Sequence, residues 1–300
     1  LFRDDKNPEK TGVSAERLHD ELFKMAESGG PALADFLEKL DDTELLDKFL
    51  PEVKAMQGVE QQPEHHPEGD VSQHVLAALR ASPVKGKPIT TLAILFHDIG
   101  KPGTYELKPT SKYPAGKHTF YGHDKHGVGV FDKIAKRLKF SNDERNAIGW
   151  VIENHMKPYK SHVMKTSKLL SLMHSDHWGE LKDVLYADIF SRGDTSDAAK
   201  GPGDYDRIMN DFDSRTQDFG NLEKSQVKSK LKRLGVDGNN IMKLTGIEPG
   251  PEIGRIMKKV EDWILNDQPN ATRENVKEYI LTLSHEKEEH NILRHRRDSI

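Results

Sequence analysis

Apolar residues in the first third of the chain recur every three or four positions, which predicts short amphipathic helices. Ser14 is placed to cap the first helix, and Pro31 is placed in the first turn of the second. We expect Thr43 to open a third helix, which Pro51 interrupts. No segment here alternates with the two-residue period of a strand, so the predicted fold class is all-α. The apolar positions of these helices are Leu18, Leu22, Met25, Ala26, Leu33, Phe36, Leu37, Leu40, Leu45, Leu46, Phe49 and Leu50.

A histidine and an aspartate end the most apolar of the predicted helices. His97-Asp98 follows the run Leu92–Phe96, where a carboxylate needs a partner that offsets its desolvation. The same dipeptide occurs at His19-Asp20 and His123-Asp124, so the apolar setting carries the inference. A divalent metal ion is a suitable partner for the pair at 97–98.

Four further residues of ligand type occur about once per predicted helix. His74 lies in the first turn of a helix that begins near Asp70 or Ser72, and His123 precedes an amphipathic helix. His155 ends a largely apolar helix, and Asp188 lies within another. Each is a weak signal alone. Together they have the spacing expected if several helices each direct one nitrogen or oxygen ligand to a shared site.

The amino-acid composition excludes several classes of protein and of metal ligand. The 300 residues contain no cysteine, which excludes disulfides and thiolate ligands. The formal net charge of -4 argues against a globally basic nucleic-acid binder, although local basic patches remain open. No apolar run reaches the roughly 18 residues of a membrane span. We expect a soluble, cytoplasmic protein without a membrane partner.

With these residues in place, the chain resembles the HD-domain metal-dependent phosphohydrolases. The resemblance implies the basic ligand set His74, His97, Asp98 and Asp188. Two-metal members of the superfamily add two histidines, which His123 and His155 match in order. It implies divalent metal ions, two of them, drawn from Mn, Fe, Ni, Co or Mg. Asp98 is the natural bridging and catalytic residue because it alone adjoins another ligand in sequence.

A second resemblance covers most of the chain and points to the C-terminal neck, HD and tail part of the CCA-adding tRNA nucleotidyltransferase and poly(A) polymerase family. In that family an N-terminal head performs nucleotidyl transfer on a glycine-rich segment and an Asp-x-Asp motif. We find neither near the start of this chain, so we expect no nucleotidyl transfer from the chain alone. The phrases that carry the resemblance are 14–17, 58–61, 66–70, 96–102, 122–123, 138–142 and 248–254.

Two basic residues near the ligands are candidates for phosphate binding. Lys101 follows Asp98 by three residues, and we assign it a catalytic and substrate-binding role; a lysine that favours the helix dipole is the alternative. Arg192 follows Asp188 by four residues and is a substrate-binding candidate, with a surface arginine as the alternative. His65, His66 and Glu68 border the substrate entrance or are solvated, and we keep them out of the ligand set.

Three segments are predicted: a helical neck-like segment at 1–60, an HD metal-binding domain at 61–200 and a helical tail module at 201–300. Residues 191–204 have the composition of a linker, and the tail from His285 onward is expected to fray. A basic cluster in the tail either faces an RNA backbone or is a solvated helix face. Its members are Lys224, Lys228, Lys230, Lys232 and Arg233.

Three functions stay open at this point. The first is a metal-dependent phosphohydrolase acting on a nucleotide, a 2′,3′-cyclic phosphate or an RNA-end phosphate. The second is a non-catalytic RNA-binding body of a tRNA nucleotidyltransferase or poly(A) polymerase whose head is missing or separate. The third is a di-iron oxygenase of the HD fold. The complete ligand set favours the first.

Overall fold

The structure is a computed structural model that describes residues 12–192, 201–217, 224–266, 268 and 271–284. It confirms the all-α fold class, and no helix in these ranges combines the length and apolarity that crossing a bilayer requires. Two short 3-10 helices occupy Pro102–Thr104 and Pro158–Val163. The two strands are β1 (Glu106–Lys108) and β2 (Lys117–Thr119). The α-helices are α1 (Ala15–Ser28), α2 (Gly30–Asp42), α3 (Leu46–Phe49), α4 (Pro51–Lys54), α5 (Val71–Ala81), α6 (Pro88–Phe96), α7 (His123–Arg137), α8 (Asn142–Asn154), α9 (Thr166–Met173), α10 (Trp178–Phe190), α11 (Gly201–Arg215), α12 (Lys224–Arg233), α13 (Gly238–Thr245) and α14 (Pro251–Asn266).

The chain divides into two compact units. The first comprises Leu1–His162 and Asp176–Asn210, and the second comprises Val163–Ser175 and Asp211–Ile300. The three-part division at residues 60 and 200 stays a prediction, because contacts within a compact unit do not define evolutionary or functional domains.

Capping residues begin helices α1 and α5 where the sequence predicts them. The Ser14 hydroxyl accepts from Arg17 N at 3.3 Å and caps α1, and Asp70 caps α5 in a reciprocal capping box with Gln73. The expectation for Thr43 is wrong. Its hydroxyl donates to Lys39 O at 2.8 Å and ends α2, because a threonine hydroxyl bonds a carbonyl of the preceding turn as readily as it caps a following helix.

Helix α6 is the centre of the first unit. Residues 90–96 are all buried, and α1, α5, α8 and α10 pack around the helix. A helix that is apolar on every side is stable only when it is surrounded in this way. His97-Asp98, which follows its last turn, is therefore held in the interior.

Strands β1 and β2 and helix α11 were not predicted from the sequence pattern. Strands β1 and β2 pair antiparallel with Leu107 opposite His118, and three residues each are too few to show alternation. Helix α11 begins at Gly201, within the predicted linker, because Gly-Pro-Gly is typical of a loop. The rest of that linker, 193–200, and the tail from residue 285 lie outside the described residues.

The second unit has its own core. Ile241 of α13 packs with Ile256 and Val260 of α14, and with Ile280. Helix α14 begins at Pro251, because proline is favoured in the first turn of a helix. The predicted basic cluster lies on α12.

We expect Gly30→Ala to destabilise the first unit. A Cβ at residue 30 would lie 1.9 Å from the carbonyl oxygen of Leu79, so α2 and α5 would have to separate. Overpacking of this kind costs about 1–3 kcal/mol of unfolding free energy, measured by urea denaturation. The matched control is Gly129→Ala in α7, where nothing lies within 4 Å of the added Cβ. Alanine should raise the free energy of unfolding there by about 0.5–1 kcal/mol. Equal stability of the two variants would contradict the close approach.

Candidate metal centre

The six side chains predicted as metal ligands meet in the interior of the first unit. Five structural elements supply them: α5, the turn after α6, the start of α7, the residue after α8, and α10. Every one has an exposed fraction of 8% or less. The six are His74, His97, Asp98, His123, His155 and Asp188.

Three of them form a first group. His74 Nε2 lies 3.3 Å from His97 Nε2 and 3.2 Å from Asp188 Oδ1. One ligand atom from each of the three residues lies within 4.8 Å of the others. Nitrogen and oxygen donors gathered this closely can hold one divalent ion.

The other three form a second group beside the first. His123 Nε2 lies 3.1 Å from His155 Nε2 and 3.4 Å from Asp98 Oδ1. His155 Nε2 lies 3.6 Å from the same carboxylate oxygen. This group also meets the geometric requirement for one ion.

The Asp98 carboxylate joins the two groups. Oδ1 faces His123 and His155, whereas Oδ2 lies 3.3 Å from His97 Nε2 and 3.5 Å from His74 Nε2. One oxygen for each group is the arrangement that a bridging carboxylate requires, and the bridging role of Asp98 stays a prediction.

The separations within each group suit metal coordination. Ligand atoms about 2.1 Å from one ion lie about 3.0–3.4 Å apart in octahedral or tetrahedral geometry. The shortest nitrogen-nitrogen separations in the two groups are 3.3 Å and 3.1 Å. The cluster is therefore compatible with divalent metal ions.

Three of the four histidines are oriented by their own chain. Nδ1 of His97 donates to Ile94 O at 2.7 Å, that of His123 to Phe120 O at 2.8 Å, and that of His155 to Ile152 O at 2.7 Å. A carbonyl can only accept, so the proton stays on Nδ1 and the lone pair of Nε2 points into the cluster.

His74 is oriented by a carboxylate instead. Its Nδ1 lies 2.6 Å from Glu68 Oε1, which also accepts from His66 Nδ1 at 2.9 Å. Ser191 Oγ lies 3.1 Å from the same Nδ1 while it donates to Asp188 O. Glu68, which we left outside the ligand set, is thus the residue that fixes the His74 ring.

The charges around His74 perturb its titration. Burial opposes protonation, but hydrogen bonds to Asp188 and Glu68 outweigh it and raise the pKa of His74 to about 9. Burial likewise raises the pKa of Glu68, but hydrogen bonds from His66 and His74 lower it to about 2. Because a metal ion binds the neutral imidazole, ion binding at His74 is coupled to proton release.

Lys101 reaches the bridging carboxylate although α6 does not continue to it. Its Nζ lies 2.6 Å from Asp98 Oδ2 and donates to Gln61 Oε1 at 2.6 Å. Burial raises the pKa of Asp98, but the charges of Lys101 and His97 prevail and hold it well below its usual range. Asp98 is therefore ionised and able to bind cations with both oxygens.

Arg192 lies at the edge of the first group, next to a tyrosine that the sequence did not single out. Tyr159 donates its hydroxyl proton to Asp188 Oδ2 at 2.7 Å, and an Arg192 amino group donates to the Tyr159 oxygen at 3.3 Å. Arg192 Nη2 also lies 3.7 Å from Asp188 Oδ1. The arginine therefore lies beside the first group, and its substrate-binding role stays a prediction.

A glycine contact brings the two groups together. A Cβ at Gly100 would lie 2.1 Å from His123 O and 2.5 Å from Gly127 N, both in α7. Only a residue without a side chain allows this approach, which sets His123 beside Asp98.

Glu68, Gln61 and Tyr159 are the contacts that sequence reasoning missed. Each lies in a loop or a 3-10 helix without apolar periodicity, and the partners of Gln61 and Tyr159 are 40 and 29 residues away. The one available signal was the His-Pro-Glu sequence at 66–68, six residues before His74.

Two family models match the chain. The HD domain matches residues 74–199, which contain all six clustered residues, and a model described as the probable RNA and SrmB-binding site of polymerase A matches residues 9–57. Residues 74–199 are therefore similar to HD domains.

Curated relatives are tRNA-processing proteins. The multifunctional CCA protein of Tolumonas auensis is 31% identical over 168 residues, which cover 56% of this chain and 38% of that protein. The A-adding tRNA nucleotidyltransferase of Deinococcus radiodurans is 26% identical over 260 residues, 82% of this chain and 54% of that protein. The chain spans about half or less of the length of these relatives. The predicted resemblance to the HD-domain and CCA-adding families is confirmed.

We expect the purified chain to bind two equivalents of Mn²⁺, measured by elemental analysis after gel filtration. His123→Ala and His155→Ala should each reduce this to one, because each removes a donor from the second group while the first stays intact. His126→Ala, an exposed histidine one turn later in α7, is the matched control and should retain two. Full metal content in the first two variants would sink the six-ligand assignment.

Glu68→Gln should weaken ion binding at the first group without unfolding the chain. The amide keeps the side-chain volume but is a poorer acceptor for His74 Nδ1, and changes in such supporting contacts cost about 10–100-fold in metal affinity. Competition with a fluorescent chelator measures both affinities. Glu64→Gln, an exposed glutamate of the same loop, is the control. Equal loss at both ions, or none, would contradict an orienting role for Glu68.

Proposed function

We propose that this chain is a metal-dependent phosphohydrolase whose six clustered residues hold two divalent ions. The substrate class is a nucleotide, a 2′,3′-cyclic phosphate or the phosphate of an RNA end. The observation that carries the proposal is the Asp98 carboxylate, with one oxygen toward each group of ligands. The HD-domain match supports it, because the resemblance implies this chemistry.

The ions would be drawn from Mn, Fe, Ni, Co or Mg, since a set of imidazoles and carboxylates accepts several of them. When bound, two divalent ions lower the pKa of a shared water and withdraw charge from a phosphate. The chain's own contribution is to fix the ligands: three histidines through backbone carbonyls and His74 through Glu68.

Lys101 and Arg192 would neutralise phosphate oxygens. Two of the three donors of the Lys101 ammonium go to Asp98 and Gln61, and no other acceptor among the described residues takes the third. The Arg192 guanidinium, which contacts Tyr159 and Asp188, is planar and matches the geometry of a phosphate group. Both cations would meet a substrate on the side of the first group, because Lys101 contacts Asp98 Oδ2 and Arg192 contacts Asp188.

A second candidate function is a non-catalytic RNA-binding body. The match of residues 9–57 to an RNA-binding model favours it, as do tRNA-processing relatives. In this case RNA or tRNA would be a binding partner rather than a substrate. The two candidate functions share a fold and differ in whether the metal centre hydrolyses a phosphate substrate.

Hydrolysis assays separate the two. We expect the chain with Mn²⁺, Ni²⁺, Co²⁺ or Mg²⁺ to cleave bis-p-nitrophenyl phosphate and 2′,3′-cyclic AMP. Asp98→Asn should lower kcat/KM by more than about 100-fold, since it removes charge from the bridge itself and changes in supporting contacts alone cost about 10–100-fold.

The control is Asp20→Asn, which alters an exposed aspartate of the His19-Asp20 dipeptide and should leave kcat/KM unchanged. Inactivity with every metal, together with retained RNA binding, would replace the hydrolase by the RNA-binding body. Hydrolysis that survives Asp98→Asn would place the activity outside this centre.

A further inference from the structure

Exposed large apolar side chains concentrate on one short segment. Four large apolar side chains are exposed among the described residues, and three belong to the β1–β2 hairpin and its flanks: Tyr105 (38%) and Leu107 (49%) on one face and Tyr121 (75%) on the other. Such side chains are costly on a free surface when they cluster, and clusters of this kind mark binding sites.

The hairpin also joins the two halves of the metal centre. The chain leaves the centre at Lys101, forms the 3-10 helix Pro102–Thr104 and then β1, and returns through β2 to His123. The hairpin rests on the loop before α5, where His118 N donates to Gln62 Oε1 at 3.4 Å and Tyr113 donates to Glu64 at 2.5 Å. It is therefore fixed at the edge of the site.

One face of the hairpin carries a row of rings that starts at the centre. The Phe120 ring lies 5.3 Å from Lys101 Nζ, the Tyr105 ring lies 5.7 Å from Phe120, and the His118 ring lies 5.8 Å from Tyr105. Leu107 stands opposite His118 in the strand register and extends the same face. We call Phe120, Tyr105 and His118 the aromatic row.

One lysine, Lys101, lies at the start of the row, whereas Lys108 and Lys117 lie on the other face of the hairpin, where Lys108 pairs with Glu106. Residues 105–121 contain three lysines, Lys108, Lys112 and Lys117, and one acidic residue, Glu106. The chain as a whole has a formal net charge of -4, so this local excess is not a property of the composition. Aromatic rings beside lysines are the elements from which proteins bind single-stranded nucleic acid, by base stacking and phosphate pairing.

We propose that the aromatic row stacks the bases next to the terminal phosphate of a single-stranded RNA while that phosphate lies at the metal centre. This inference rests on the proposed hydrolase and narrows its substrate to RNA ends. RNA is the occupant because a 2′,3′-cyclic phosphate forms only on ribose, and because the row begins at Lys101, where the phosphate would be held.

Tyr105 is the residue to test. Tyr105→Ala should lower kcat/KM for a pentaribonucleotide ending in a 2′,3′-cyclic phosphate about 10-fold more than for glycerol 1,2-cyclic phosphate, which has no base. Tyr105→Phe keeps the ring and should behave as the original chain. Tyr121→Ala is the matched control: Tyr121 is exposed and stacks under Lys108 on the other face of β1, so neither substrate should change.

Binding without turnover separates this inference from the hydrolase. In EDTA, an RNA oligonucleotide with a terminal 2-aminopurine and a 3′-phosphate should lose fluorescence on stacking against the full-length chain, and Tyr105→Ala should restore it. If the original chain quenches the fluorescence, Tyr105→Ala does not, and neither hydrolyses any substrate, the result would support base stacking on the aromatic row and contradict the proposed hydrolase activity.

Three results would contradict the stacking of RNA bases on the aromatic row. If the chain hydrolyses the pentaribonucleotide with no preference and quenches no fluorescence, it is a hydrolase that does not bind bases on the aromatic row. Equal quenching in Tyr105→Ala would show that the bases bind elsewhere and leave the exposed face to a protein partner. Equal quenching and affinity for the matching DNA oligonucleotide would refute the assignment to RNA.

Discussion

An ionised carboxylate at the end of a buried apolar helix is the constraint around which the first unit is organised. Asp98 is 2% exposed, and residues 92–96 of the preceding helix have no exposed surface. A charge in such a position is tolerated only where cations or strong donors surround it. Lys101 and the four clustered histidines supply those surroundings, and four helices pack on α6. The packing of the core around α6 therefore determines where the clustered side chains lie.

The sequence predicts this arrangement where the determinants are local. Apolar spacing and capping residues place α1, α2 and α5, and the apolar run before His97 identifies the buried helix. Helix position alone made the candidate ligands weak signals, and the resemblance to the HD-domain phosphohydrolases joined the six residues into one set. Thr43 failed for the same reason that Ser14 succeeded: a short hydroxyl side chain bonds the backbone on either side, and only the fold decides which.

What the sequence could not supply are the contacts that cross between elements. Tyr159 is joined to Asp188, and Gln61 to Lys101, across gaps of 29 and 40 residues. No period or spacing encodes such a pair. The hairpin was missed because strands of three residues carry no alternation, although its rings and lysines were visible in the sequence. Their meaning depends on the ring-to-ring distances, which exist only after folding.

The ends of the helices that meet at the centre differ in polarity. Helices α6 and α8 finish there, at His97 and His155, whereas α7 starts there at His123 and α5 contributes His74 from its first turn. A helix carries about half a negative charge at its C-terminal end and about half a positive charge at its N-terminal end. Two C-terminal ends therefore favour cations, and two N-terminal ends favour an anion such as phosphate. The backbone therefore contributes partial charges of both signs to this interior, negative where α6 and α8 end and positive where α7 begins.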